Sequence, residues 1–188
     1  MIPRLRKQPE KKNHFSRKWI DNYSWVKQKN CLEILKDPKK LNPEVRKYLE
    51  EENAYTKENM KDTESLQKKL FKEIEGRIKL DDEGLPYKDE RYEYWTKTTK
   101  EGNYFKKLRR KIGDSKIECY FDGDKEAEGK KFFSCGDLTV SYSDELLLYS
   151  IDDKGSEYFT IFVRRVSDEK IVEKIEDTAG GCLWAFDD

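Results

Sequence analysis

The chain is short of apolar residues, of histidine and of any long hydrophobic run, and each shortage removes a class of function. Hydrophobic residues fill 35% of its 188 positions and charged residues 41%, against roughly 45–50% and about 25% in an ordinary soluble domain. A chain of this length builds one domain when it has enough apolar surface to bury. Here the supply is thin, so the sequence describes a folded segment whose apolar surface expects a partner. The aromatic share of 13% argues against simple disorder, because disordered segments are poor in aromatics.

No run of about 18 apolar residues exists to cross a bilayer. The basic opening Met1-Ile2-Pro3-Arg4-Leu5-Arg6-Lys7 lacks the apolar core of a signal peptide. The four cysteines stand at 31, 119, 135 and 182 without a Cys-x-x-Cys pair or a histidine at ligand spacing, which excludes a zinc site. A cytoplasmic, reduced-thiol protein with no metal and no cofactor is the expectation. Serine-triad chemistry needs a histidine and an orienting acid, yet the only histidine is His14, in a charged segment, and Gly-x-Ser-x-Gly is absent. The strained elbow of the α/β-hydrolases therefore does not occur here, and no catalytic residue is assigned.

What the chain does have is charge. Lys plus Arg and Asp plus Glu balance at 39 each, but residues 1–112 are net basic and 113–188 net acidic. The plainer reading is solvated faces; the sharper one is two parts with different partners. Residues 1–18 are strongly basic and contain Pro3 and Pro9, which reads as an exposed irregular arm. No stacking platform or recognition helix accompanies this charge, so neither nucleic acid nor membrane is expected as a partner.

Asn42-Pro43-Glu44 predicts a helix start, with a cap, a proline at the first helical position and an acid at the positive end of the dipole. Val45, Tyr48, Leu49 and Glu52 follow on one face. Asp62 or Thr63 predicts a second cap, with Leu66, Leu70, Ile74 and Ile78 as an apolar stripe that Gly76 interrupts. The stripe is narrow and does not sustain a heptad, which suits two helices on the outside of a larger body rather than a coiled coil. After Pro86 the period shortens. Tyr92, Tyr94 and Thr96 predict a strand, paired through a turn at Glu101-Gly102-Asn103 with a second strand over Asn103–Leu108. Phe132–Phe133 with Leu138–Tyr142, Leu146–Ile151, Tyr158–Val163 and Lys170–Ile175 then predict a four-stranded antiparallel meander, the size of one propeller blade. Leu183-Trp184-Ala185-Phe186 predicts the first strand of the next. The fold class is α+β: an N-terminal helical extension, then antiparallel four-stranded blades of an incomplete β-propeller.

Four further clusters invite a chemical reading. Asp122, Asp124, Glu126 and Glu128 alternate as in a calcium loop, but Ala127 and Phe133 occupy the places where an EF-hand needs glycine and glutamate. Asp152-Asp153-Lys154-Gly155 reads as a hairpin turn before a ligand set. Asp81-Asp82-Glu83 reads as a solvated loop before an acidic pocket for basic peptides. Gly180-Gly181-Cys182 reads as a bend, since no histidine stands nearby to activate the thiol.

An ordered series of words runs through the chain: Asp21-Asn22-Tyr23-Ser24-Trp25, Glu52-Asn53-Ala54-Tyr55-Thr56, Leu66-Gln67, Glu75-Gly76-Arg77-Ile78-Lys79, Pro86-Tyr87, Glu128-Gly129-Lys130-Lys131-Phe132-Phe133, and Gly180-Gly181-Cys182-Leu183-Trp184-Ala185. In that order they resemble the N-terminal part of oligopeptidase B, in the prolyl oligopeptidase family of serine peptidases. The resemblance implies that residues 1–72 are a helical extension that packs on an α/β-hydrolase domain. It implies that 73–188 open a seven-bladed propeller which restricts substrates to short peptides. The family cleaves after Arg or Lys, with its triad near the far end of a longer polypeptide. The implied partner is thus a C-terminal peptidase portion, on a separate chain or lost, with short basic peptides as substrates only of the complete enzyme. The rival expectation is a non-enzymatic interaction module that uses an open β-edge.

Overall fold

The computed structural model describes residues 2–185, and the chain divides into two units, Met1–Arg77 and Ile78–Asp188. Residues 10–21 do not continue the irregular arm that the charge and prolines of residues 1–18 suggest. They make an antiparallel hairpin, β1 (Glu10–His14) and β2 (Arg17–Asp21), in register from Glu10↔Asp21 to His14↔Arg17. Pro3 and Pro9 precede the ladder, so the missing amides remove none of its bonds; Gln8 N–H to Asn22 carbonyl extends it at 2.9 Å.

A short helix α1 (Cys31–Lys36) follows, then α2 (Pro43–Asn59). The predicted cap operates: Asn42 Oδ1 accepts from the amides of Glu44 at 2.9 Å and Val45 at 3.3 Å. Glu44 also takes a two-pronged bond from Arg6 at 2.8 and 2.9 Å, which ties the start of the chain to the start of the helix. Val45 is the one buried apolar residue of this unit among the described residues. A single 3-10 turn, Lys61–Thr63, separates α2 from α3 (Glu64–Glu75). Thr63 holds the cap position without capping: its hydroxyl donates to the Met60 carbonyl and accepts from Gln67. Gly76 ends α3 as expected, although at φ −65° rather than in the left-handed region. Leu66, Leu70 and Ile74, together with Phe71, are all exposed, so the stripe of α3 has no cover within its own unit.

The second unit holds two antiparallel sheets. In the first, β3 (Asp82–Glu83) and β4 (Tyr87–Asp89) lie along the same edge of β5 (Tyr92–Thr98), parted by Gly84-Leu85-Pro86; β6 (Lys106–Lys111) and β7 (Ile117–Asp122) complete it. The predicted hairpin is present, but its second strand starts at Lys106 and not at Asn103. Asp124 Oδ1 captures the amides of Asn103 and Tyr104 at 2.8 and 3.1 Å, holding them in the turn. A one-turn helix, α4 (Gly123–Ala127), then leads to the second sheet. Its strands are β8 (Ser134–Val140), β9 (Leu146–Asp152), β10 (Phe159–Arg165) and β11 (Ile171–Thr178), in meander order.

This is the four-stranded unit that the turn spacing predicts, with two local differences. Phe132 and Phe133 precede β8, and β8 bulges between Cys135 and Leu138. From Leu147 to Asp152 every residue of β9 is buried, which is why its sequence is a continuous run rather than an alternation. The core lies between the sheets: Tyr94, Tyr120 and Phe121 from the first meet Phe133, Leu147, Tyr149, Ile151 and Val166, with Phe121 edge-on to Tyr149 at 5.4 Å. Leu183, Trp184 and Ala185 form no strand; Phe186, the end of the predicted next strand, lies outside the described residues.

Candidate functional site

Polar side chains concentrate where the turn between β8 and β9 meets the first sheet. Asp144 stands at its apex, at φ 64°. One carboxylate oxygen accepts the Tyr94 hydroxyl at 2.9 Å and the other the Arg91 Nε–H at 2.7 Å. Arg109, buried although it sits on β6, donates to the Asp144 carbonyl at 2.7 Å and to Glu118 at 2.6 Å. Its guanidinium lies 4.4 Å from the centre of the Tyr92 ring. Burial opposes that charge most strongly, but the hydrogen bond to Glu118 and the attraction of Glu118 and the neighbouring tyrosines together outweigh it and hold the Arg109 pKa above its usual value. Burial first, and then the Asp144 hydrogen bond, push the Tyr94 hydroxyl well up. Arg109 and Tyr94 are therefore both held in their ordinary charge states, which suits a clasp and not an acid–base site.

A second clasp stands on β10. Arg164 is buried and donates to Glu126 of α4 at 2.6 Å and to the Tyr120 carbonyl of β7 at 2.8 Å. It lies 5.1 Å from the Tyr149 ring, and its Nε is buried without a hydrogen-bond partner. Beside the first clasp an open cavity of about 350 Å³ is lined by Arg91, Arg109, Lys111, Glu118, Asp144 and Arg165, among others.

The sequence candidates fall into structural duty. His14 is exposed at the hairpin tip, its ring edge-on to Phe15 at 4.4 Å. Asp122 caps α4 through the amides of Asp124 and Lys125; burial opposes its charge, yet Lys106 and the cap amides keep its pKa below the usual range. Asp124 fastens the β5–β6 turn and Glu126 meets Arg164, so the acids of this cluster point to different tasks. Among the described residues no three His, Cys, Asp or Glu converge as a metal site.

Asp81 accepts from the Lys100 amide, and Glu83 from Trp95 Nε1 at 2.6 Å, which seats β3 on β5. Gly180 takes φ +88°, and a Cβ there would stand 2.7 Å from the Phe159 ring. Its carbonyl accepts the Ser150 hydroxyl, and the Cys182 amide donates to Asp137 at 3.1 Å. Burial and Asp137 raise the Cys182 thiol, so the segment is a fastened bend and not a nucleophile loop. Among the described residues, no helix is long and apolar enough to cross a membrane.

Comparison with known proteins agrees with this arrangement. Residues 3–188 match the model of the prolyl oligopeptidase N-terminal beta-propeller domain. The chain is 27% identical to a dipeptidyl aminopeptidase BI of Pseudoxanthomonas mexicana, over 89% of its own length and 24% of that protein's. The solved oligopeptidase B of Leishmania major superposes on it with a TM-score of 0.83 at 25% identity, over 100% of this chain and 28% of that one. The oligopeptidase B of Trypanosoma brucei, solved with covalently bound antipain, gives 0.80 at 25% identity, over 97% and 27%. The chain thus spans about a quarter of the length of these relatives, and it belongs to the family of the prolyl oligopeptidase N-terminal β-propeller domain.

Proposed function

We propose that residues 1–72 are the helical extension and 73–188 the first blades of the propeller of an oligopeptidase B-like serine peptidase, which hydrolyses short peptides after Arg or Lys. The observation that carries this reading is the family match along residues 3–188 on a chain whose second sheet is a blade-sized meander. The helical extension supports it too, because the bare stripe of Leu66, Leu70 and Ile74 is the kind of surface an α/β-hydrolase domain would cover. In this reading the clasps at Asp144 and Arg164 set one sheet against the next, and the nucleophile, histidine and orienting acid belong to a peptidase portion outside these 188 residues.

A second reading, an interaction module that adds a partner's strand, rests on β11, which pairs only with β10 among the described residues. Its Glu173, Lys174, Glu176 and Asp177 are the charges that discourage edge pairing, which favours the first reading. The test is hydrolysis of a fluorogenic peptide amide with arginine before the scissile bond. The purified 188-residue polypeptide is expected to show no turnover. Turnover that a serine-directed inhibitor abolishes would overturn the assignment of the chemistry to another portion.

A further inference from the structure

We draw no further inference here: the strongest candidate, the open cavity beside the Asp144 clasp with Arg91, Arg109, Lys111 and Arg165 in its lining, belongs to the site already described, where Asp144, Glu118 and Asp168 of the fold itself engage Arg91, Arg109 and Arg165.

Discussion

The Asp144 side chain takes a tyrosine hydroxyl on one oxygen and an arginine on the other, while its backbone occupies the left-handed region. Those two roles can be separated by substitution. Asp144→Ala leaves the buried Tyr94 hydroxyl without its acceptor and puts a Cβ at positive φ with no compensating bond, so it is expected to cost about 2–3 kcal/mol of stability. Asp144→Gly loses the same bonds but relaxes the backbone, and should be milder by about 1 kcal/mol. Urea unfolding of both variants checks this; equal losses would mean that the turn conformation is not strained.

The clasp was not legible in the sequence, because Arg109 and Tyr94 meet Asp144 across 35 and 50 positions. The Ser143-Asp144 turn was legible, since its residue types are those that turns require. Arg109 itself carried no local signal, because it stands in the run Lys106-Lys107-Leu108-Arg109-Arg110-Lys111, where the basic residues around it hide the one that is buried.

At the scale of the element, the β9–β10 connection shows why turn chemistry could be read locally. Asp152 is buried, and its carboxylate accepts the amides of Lys154, Gly155 and Glu157 at 2.9, 3.0 and 2.8 Å. Burial opposes its charge, but those amides prevail and its pKa lies below the usual carboxylate value. A depressed folded pKa stabilises the protein above the unfolded value, about 3.9, and this contribution fades as pH falls through the folded value. Asp152→Asn should therefore lose about 1–3 kcal/mol at pH 7 and converge with the parent chain as the pH is lowered below about 3. Unfolding curves at several pH values would show this, and a gap that is constant with pH would contradict it.

Other elements escaped a local reading for physical reasons. In β7 the apolar residues Cys119, Tyr120 and Phe121 are contiguous beside a bulge, so the alternation that marks a half-buried strand is missing. The β1–β2 hairpin is hidden by charge, because an isolated two-stranded ribbon buries neither face and leaves no apolar pattern. Helix α2, with its cap, proline and acid in consecutive positions, carried its own signal.

The molecule as a whole divides its apolar residues unevenly. Apart from Val45, the buried apolar side chains of the described residues all lie in the second unit, between two sheets that the Asp144 and Arg164 clasps hold face to face. The first unit has capped helices and ion pairs but almost no core, and isolated helices of such length are marginal in water. The proposed function gives this asymmetry a meaning: the sheets complete each other, and in that proposal a peptidase portion beyond these residues completes the extension.

Hydrogen exchange of the purified chain in native buffer tests that claim most directly. The account predicts that amides of β5, β6, β9 and β10 share slow exchange set by one cooperative opening, while those of α3 exchange almost as fast as in an unstructured peptide. Protection of α3 equal to that of β9 would contradict it, because the extension would then be stable without the peptidase portion.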